Sequence, residues 1–292
     1  MSAFDKWWMP PIKHGEQYPT FNRISLETCS TCTRRCSFCP VGERGDSLKT
    51  MSDELYLNIC EQLHDLHWDG CVQWFLVNEP LLDKQHEHRL LLLRKYVPRC
   101  NIHITTNWDV MRRTPFDEQA LKIRRLFNCG VNILNLNAYE AKFVEPYKKL
   151  VKYICDAGWA TYSPHHVWGK QRRDARVLSA SDMSAPVDLH SWSGTFQLGE
   201  RGKQYKTPAA QCARPMRHLV IAWDGSIPVC CATNPARAES LGDANHESLL
   251  EIWSGRKFFE YRHRLQRGIR TESCSGCDER AAYPTAIRRV EL

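Results

Sequence analysis

No uninterrupted apolar run in the 292-residue chain approaches the length of about eighteen that a membrane helix needs, so no helical span is expected. The opening stretch, MSAFDKWWMPPIKHGEQYP, lacks an apolar core and a small-residue cleavage site. No secretory signal is therefore expected, and a reducing cytoplasm is the expected location. A basic arm or stripe is also missing, because the 40 Lys and Arg are interspersed with 33 Asp and Glu. The net charge of +7 permits an anionic substrate or cofactor but falls short of a dedicated nucleic-acid surface. Apolar residues at 42% and charged residues at 25% exclude a disordered chain. The length suffices for one full domain and a smaller one.

Cysteine, by contrast, is abundant. Fourteen in a large chain without an export signal favour metal or cluster binding over a disulfide framework. Four of them crowd into CSTCTRRCSFCP, as Cys29, Cys32, Cys36 and Cys39. Cys32, Cys36 and Cys39 form CxxxCxxC, with the aromatic Phe38 before the last thiol. Three thiolates on a tight loop can hold three corners of a four-iron cluster and leave one iron open to a small molecule. The Cys29 and Cys32 pair could instead begin a zinc site, although no second pair lies at finger spacing. On the cluster reading Cys29 is a spectator thiol.

Four β-prone runs recur about every thirty residues, which is the length of one strand with its crossover helix: CVQWFLV, NIHITT, VNILNLN and ATYS. Between them lie helical patterns. The first is expected to have Ser52 as N-cap, the second runs from about Asp83 to Tyr96, the third starts at Thr114 with Pro115, and the fourth stops at Gly158. RISLE supplies an earlier strand and VDLHSW a sixth, predicting a partial (β/α)6 parallel barrel. In such sheets the site gathers after the carboxyl ends of the strands, and the cysteine loop follows the first strand. Near residue 193 the cadence breaks. Asp224 and Gly225 then predict a β-hairpin between HLVIAW and IPVCC, in a small α+β unit. The expected divisions are an N-terminal extension (1–22), the barrel (23–200) and the second domain (201–292).

The CTRRCSFC loop resembles the CxxxCxΦC loop of the radical SAM superfamily. VNEP, residues 77–80, is similar to that family's Gly-Gly-Glu-Pro segment, with Asn78 in place of the second glycine. The resemblance implies that Glu79 binds the methionine amino group of S-adenosylmethionine. TTNW keeps Asn107 and puts Trp108 where the family has glycine, while Asn137 stands near the usual ribose contact. The glycine-rich adenine segment has no match around Ser163, His165 and His166. A helix cap for Glu79 and backbone-satisfying roles for the two asparagines are the plainer alternatives.

Farther on, Cys212, Gly225, Cys230 and the CSGC of Cys274 and Cys277 resemble a twitch domain, the short form of the SPASM domain. The resemblance implies a second four-iron cluster with four protein thiolates, serving as electron relay or brace. A four-cysteine zinc site has the same ligand count. Cys231, facing away from Cys230 on a strand, is either a packed thiol or a hydrogen-atom donor.

The resemblance further implies reductive cleavage of S-adenosylmethionine to a 5′-deoxyadenosyl radical that takes a hydrogen atom from a small polar substrate. Dehydrogenation of a sugar or aminocyclitol alcohol is expected, with flavodoxin or ferredoxin as electron donor. An epimerase or isomerase is the nearest alternative. QRRDAR, residues 171–176, raises a nucleotide or modified nucleic acid, and a zinc-stabilised binding protein is the non-enzyme alternative. A peptide substrate is disfavoured, since only about twenty residues precede the first strand.

Overall fold

The computed structural model describes residues 20–45, 47–163, 175–184, 189, 191–198, 212, 214–270 and 272–277. Seven strands form one sheet in the order β5-β6-β4-β3-β2-β1-β7. They are β1 (Arg23–Leu26), β2 (Cys71–Gln73), β3 (Asn101–Thr106), β4 (Ile133–Ala138), β5 (Thr161–Tyr162), β6 (Val177–Asp182) and β7 (His218–Ile221). Every pairing is parallel. All carboxyl ends therefore point the same way, and with the edges at β5 and β7 left apart the sheet is the partial barrel expected.

Alternation sets its two faces. Ile24, Val72, Ile102, Leu134 and Leu178 pack into the main core with the helices. The intervening Ser25, Gln73, His103, Asn135 and Ser179 are buried polar residues on the opposite face. Helices α1 (Asp53–Asp65), α2 (His86–Tyr96), α3 (Phe116–Asn128) and α4 (Val144–Asp156) link successive strands. Ser52 caps α1 by accepting from the Leu55 N–H at 3.1 Å, and Pro115 is the cap of α3 rather than its first residue. A 3-10 turn, Pro80–Leu82, precedes α2, which starts at His86 rather than near Asp83 and ends at Tyr96 as expected.

Two strand assignments shift. The sixth strand is VLSASD, Val177–Asp182, inserted between β4 and β5, rather than VDLHSW. Its small polar residues carry little β signal; the register with β4, where Ser179 faces Asn135, decides the pairing. Of VDLHSW, residues 187, 188 and 190 lie outside the described residues. Gly225, at φ +89, makes the expected turn, yet its two arms part company. HLVI becomes β7 and joins β1, while β8 (Ser226–Pro228) pairs antiparallel with β9 (Ser240–Asp243). Otherwise unpaired β1 backbone groups, met by a strand with three apolar residues, make the barrel edge the better partner for β7. The short helices α5 (Leu249–Ser254), α6 (Arg256–Gln266) and α7 (Glu272–Ser275) complete this unit. Among the described residues no helix is long and apolar enough to cross a membrane.

Beneath the cysteine loop, buried Arg89 on α2 donates to Asp83 at 3.0 Å, to Asp53 at 2.7 Å and to the Met51 carbonyl at 2.6 Å. Removing one partner of a buried pair leaves the other charge uncompensated. Arg89→Met is expected to cost about 3–5 kcal/mol in denaturant unfolding, and adding Asp83→Leu should recover part of the loss. Additive effects in that double-mutant cycle would show that the pair is not coupled.

Candidate functional site

The residues from Cys32 to Cys39 form neither helix nor strand, so side chains must hold them. Arg34, between the first two thiols, reaches Asp109 at 2.7 Å beyond β3 and Glu140 at 3.0 Å beyond β4. Its guanidinium also lies 5.3 Å from the Tyr139 ring centre. Arg44 grips Glu27, at the end of β1, through two bonds of 2.7 and 2.8 Å. The same carboxylate accepts from the Val77 N–H at 3.1 Å, joining the loops after β1 and β2.

A cavity of about 220 Å³ opens above the strand ends. Cys32, Cys36, Cys39, Phe38, Asn78, Glu79, Asn107 and Asn137 all line it, so the residues singled out around the first cysteine set share one space. Three thiols facing one opening are what a four-iron cluster with a free corner requires, and the residues present fit such a group. Burial pushes Cys32 up to about 11 and Cys39 up to about 12, and raises Cys36 as well. Binding iron must therefore release their protons. Cys29 stays apart from this set: it is buried, bonded to the Asn78 amide at 3.3 Å, and donates to the Glu79 carbonyl at 3.4 Å.

Asn107 spans the site. Its side-chain amide donates to Cys32 Sγ at 3.3 Å and Thr33 Oγ1 at 2.9 Å, while its Oδ1 accepts from the Asp109 N–H. A hydrogen bond to a ligating sulfur tunes a cluster as well as placing it. Trp108, in the family's glycine place, has φ +60, so the left-handed backbone a glycine would adopt is kept. Its buried indole is anchored on Gln119 at 2.8 Å. Asn137 accepts from Asn135 at 2.7 Å and directs its own amide toward the Tyr139 hydroxyl.

Glu79 is buried and lines the cavity. Its carboxylate accepts from Thr106 Oγ1 at 2.5 Å and from the Asn107 and Leu81 N–H groups at 2.7 and 3.2 Å. The helix-cap alternative is thus realised, since Glu79 caps the turn at Pro80–Leu82. Burial outweighs these donors and pushes the carboxyl up to about 7.

The second set, Cys212, Cys230, Cys274 and Cys277, is buried throughout. Cys212 senses the charge of Cys277, and Cys230 that of Cys212, which places the three together. The Ala232 N–H donates to Cys230 Sγ at 3.4 Å. Among the described residues no group of three His, Cys, Asp or Glu side chains forms a site for a single metal ion.

Cys231 does not line the cavity. It lies 3.7 Å from His218 Nδ1 and accepts from Arg214 at 3.2 Å, while His218 Nε2 meets Ser25 at 2.9 Å. The Cys230 thiol, with His218 and Arg214 beside it, holds Cys231 well below the usual thiol range. Ser163 serves β6 through its N–H, whereas His165, His166 and residues 171–174 of QRRDAR lie outside the described residues.

Arg34, Tyr139 and Trp192 escaped the sequence reading. Tyr139 continues the period-two face of Asn135 and Asn137 and stacks on Phe38 at 6.4 Å, so alternation could have found it. Trp192 closes the run read as a strand, where the cadence breaks, and left no such trace.

Residues 212–278 match the SPASM family, an iron–sulfur cluster-binding domain. Over 265 residues, 88% of this chain and 93% of the relative, the sequence is 23% identical to an S-adenosyl-L-methionine-dependent 2-deoxy-scyllo-inosamine dehydrogenase of Niallia circulans. A crystal structure of BtrN in complex with AdoMet and 2-DOIA shares the fold at a TM-score of 0.69 and 21% identity, covering 93% of this chain and 99% of that one. Histidine-tagged anSMEcpe with bound AdoMet does so at 0.51 and 13%, covering 89% of each chain. The parallel-sheet fold is thus the one these AdoMet-bound structures share, and the chain carries a SPASM-type iron–sulfur cluster-binding match at residues 212–278.

Because the Glu79 carboxyl rises from 4.5 to about 7 on folding, the folded chain holds the proton more tightly. Its stabilising contribution is complete below about pH 4.5 and is lost as pH rises through about 7. Unfolding free energy of the metal-free protein should fall by up to about 3 kcal/mol across that window, and Glu79→Gln should flatten the slope. An unchanged slope in the variant would assign it to other groups.

Proposed function

We propose that this protein is a radical SAM dehydrogenase that oxidises one alcohol carbon of a small polyhydroxylated ring, a sugar or aminocyclitol, to a ketone. The carrying observation is three thiols sharing one cavity with Asn107 and Asn137 at the carboxyl ends of a parallel sheet, beside a second, all-cysteine set. The cofactors are S-adenosylmethionine and two four-iron clusters, one on Cys32, Cys36 and Cys39, the other on Cys212, Cys230, Cys274 and Cys277. Bound S-adenosylmethionine supplies the 5′-deoxyadenosyl group that removes a hydrogen atom from substrate. The second cluster, held by Cys212, Cys230, Cys274 and Cys277, would supply the acceptor for the one electron that remains on the substrate when its hydroxyl proton leaves.

The chain's own residues hold and dry this chemistry. Phe75, Leu76, Val77 and Trp192 form an apolar wall that keeps water from a reactive carbon, while Thr105, Asn137 and Tyr139 offer hydroxyl and amide partners. Glu79 is the one carboxylate among the described wall residues; its Oε1 takes two protein donors and its Oε2 one, which leaves an Oε2 lone pair for the amino group of S-adenosylmethionine. A relative named for 2-deoxy-scyllo-inosamine, an amino-bearing polyol, supports this substrate class. In this reading the barrel unit is 23–200 and the cluster domain 201–292, with β7 (His218–Ile221) of the second stretch joining the barrel sheet. The reducing electron comes from a flavodoxin or ferredoxin, in the cytoplasm.

Reconstituted protein should hold about eight iron per chain, falling to about four when Cys32, Cys36 and Cys39 become alanine. A polyol deuterated at the reacting carbon should place deuterium in 5′-deoxyadenosine and give a product two hydrogens lighter. Solvent deuterium appearing at a retained carbon of an unlabelled polyol, in a product that has lost no hydrogens and is one mass unit heavier, would overturn dehydrogenation in favour of epimerisation.

A further inference from the structure

One short turn touches both cysteine sets. Trp192 donates its indole N–H to the Phe38 carbonyl at 2.9 Å, in the segment between Cys36 and Cys39. Its ring packs in a cluster with Val41 and Val77, against which Cys32 and Cys39 also lie. The next residue, Ser193, places its hydroxyl 3.4 Å from the Ala232 carbonyl, two positions beyond Cys230. Gly194 then abuts Gly276, which stands between Cys274 and Cys277. A Cβ on Gly276 would meet the Ser193 carbonyl oxygen at 2.6 Å, and one on Gly194 would meet the Gly276 backbone at 3.0 Å. Neither glycine tolerates a side chain without moving the two segments apart.

The backbone shows the same constraint. Trp192, Ser193 and Gly194 have φ of +51, +57 and +85. Two non-glycine residues in that region persist only where their surroundings hold them. Bonds from the Gly194 N–H to Ser191 Oγ at 2.9 Å and from Thr195 Oγ1 to the Trp192 carbonyl at 2.9 Å close the turn.

We propose that the turn of residues 192–194 is the spacer that sets the second cysteine set at a fixed distance from the first, with Trp192 as a positioning residue whose indole walls the substrate cavity. This rests on the two-cluster dehydrogenase reading above. A substrate radical formed in the cavity must shed its electron before it takes hydrogen back. The separation across this turn therefore decides whether hydrogen-atom removal leads to ketone. Small misplacements of reacting partners are costly, on the order of a hundredfold in rate.

The test uses reconstituted full-length protein with Trp192→Phe, which keeps an aromatic ring and loses the bond to Phe38, and Gly194→Ala, which pushes on Gly276. Iron and sulfide are counted, the magnetic interaction between the two reduced clusters is measured by pulsed EPR, and 5′-deoxyadenosine is compared with ketone formed. The expected result is an iron content of about eight in both variants, a weakened inter-cluster interaction, and ketone per 5′-deoxyadenosine falling about tenfold or more. An unchanged interaction with an unchanged product ratio would overturn the proposal. So would loss of iron from either set in Trp192→Phe, since the turn would then belong to that site's own fold. Failure of the function reading shows separately, in the unsubstituted protein, as a single cluster or as no ketone from any polyol.

Discussion

Three thiols must face one open space from a stretch that has no helix or strand to hold it, and the rest of the architecture answers that constraint. The tethers come from outside the loop: Asp109 and Glu140 on Arg34, Asn107 on Cys32 and Thr33, Glu27 on Arg44. Each tether lies within a few residues of the carboxyl end of a strand. They can converge only because all seven strands run the same way. An antiparallel sheet would send alternate strand ends, and with them half the tethers, to the far side. Arg34 and Asp109 are largely screened from solvent, with side-chain exposures of 16% and 8%, so their ion pair acts in a weaker dielectric than a surface pair.

The sheet's inner face carries the next layer of the same logic. Ser179 and Ser181 donate to Asn135 Oδ1, and Asn135 donates to Asn137 Oδ1. That chain turns the Asn137 amide donor toward Tyr139 at the cavity wall. A buried polar network specifies orientation when every member is satisfied. The floor of the cavity is consequently a set of aimed donors rather than a greasy plug, which suits a substrate made largely of hydroxyls.

Periodicity made the first five strands, four helices and the cysteine loop legible, because the thirty-residue spacing and the CxxxCxxC spacing are both local patterns. What could not be read from local pattern was long-range pairing. VLSASD carries little β signal until Asn135 is opposite Ser179, and HLVI looks like a hairpin arm until the edge of β1 is available to it. Arg34 looked like an ordinary loop charge, since its carboxylate partners lie 75 and 106 positions away. Trp192 failed for a related reason: its partner atom is a backbone carbonyl, 154 positions distant, that no side-chain pattern announces.

The displaced strand also bears on how the two cysteine sets relate. Domains joined by a linker move against each other by default. Here β7 runs parallel to β1 through four registered pairs, from Arg23 opposite His218 to Leu26 opposite Ile221. Ser25 and His218 add a buried bond of 2.9 Å across that seam. β1 leads into Cys32 and β7 leads, through the Gly225 turn and β8, into Cys230. The chain segments feeding the two sets are thus neighbours in one hydrogen-bonded sheet. Sheet pairing ties the two feeding segments together, and the turn at Trp192 is a second contact to both. Two separate contacts resist hinge motion better than either alone, because rotation about one is opposed by the other.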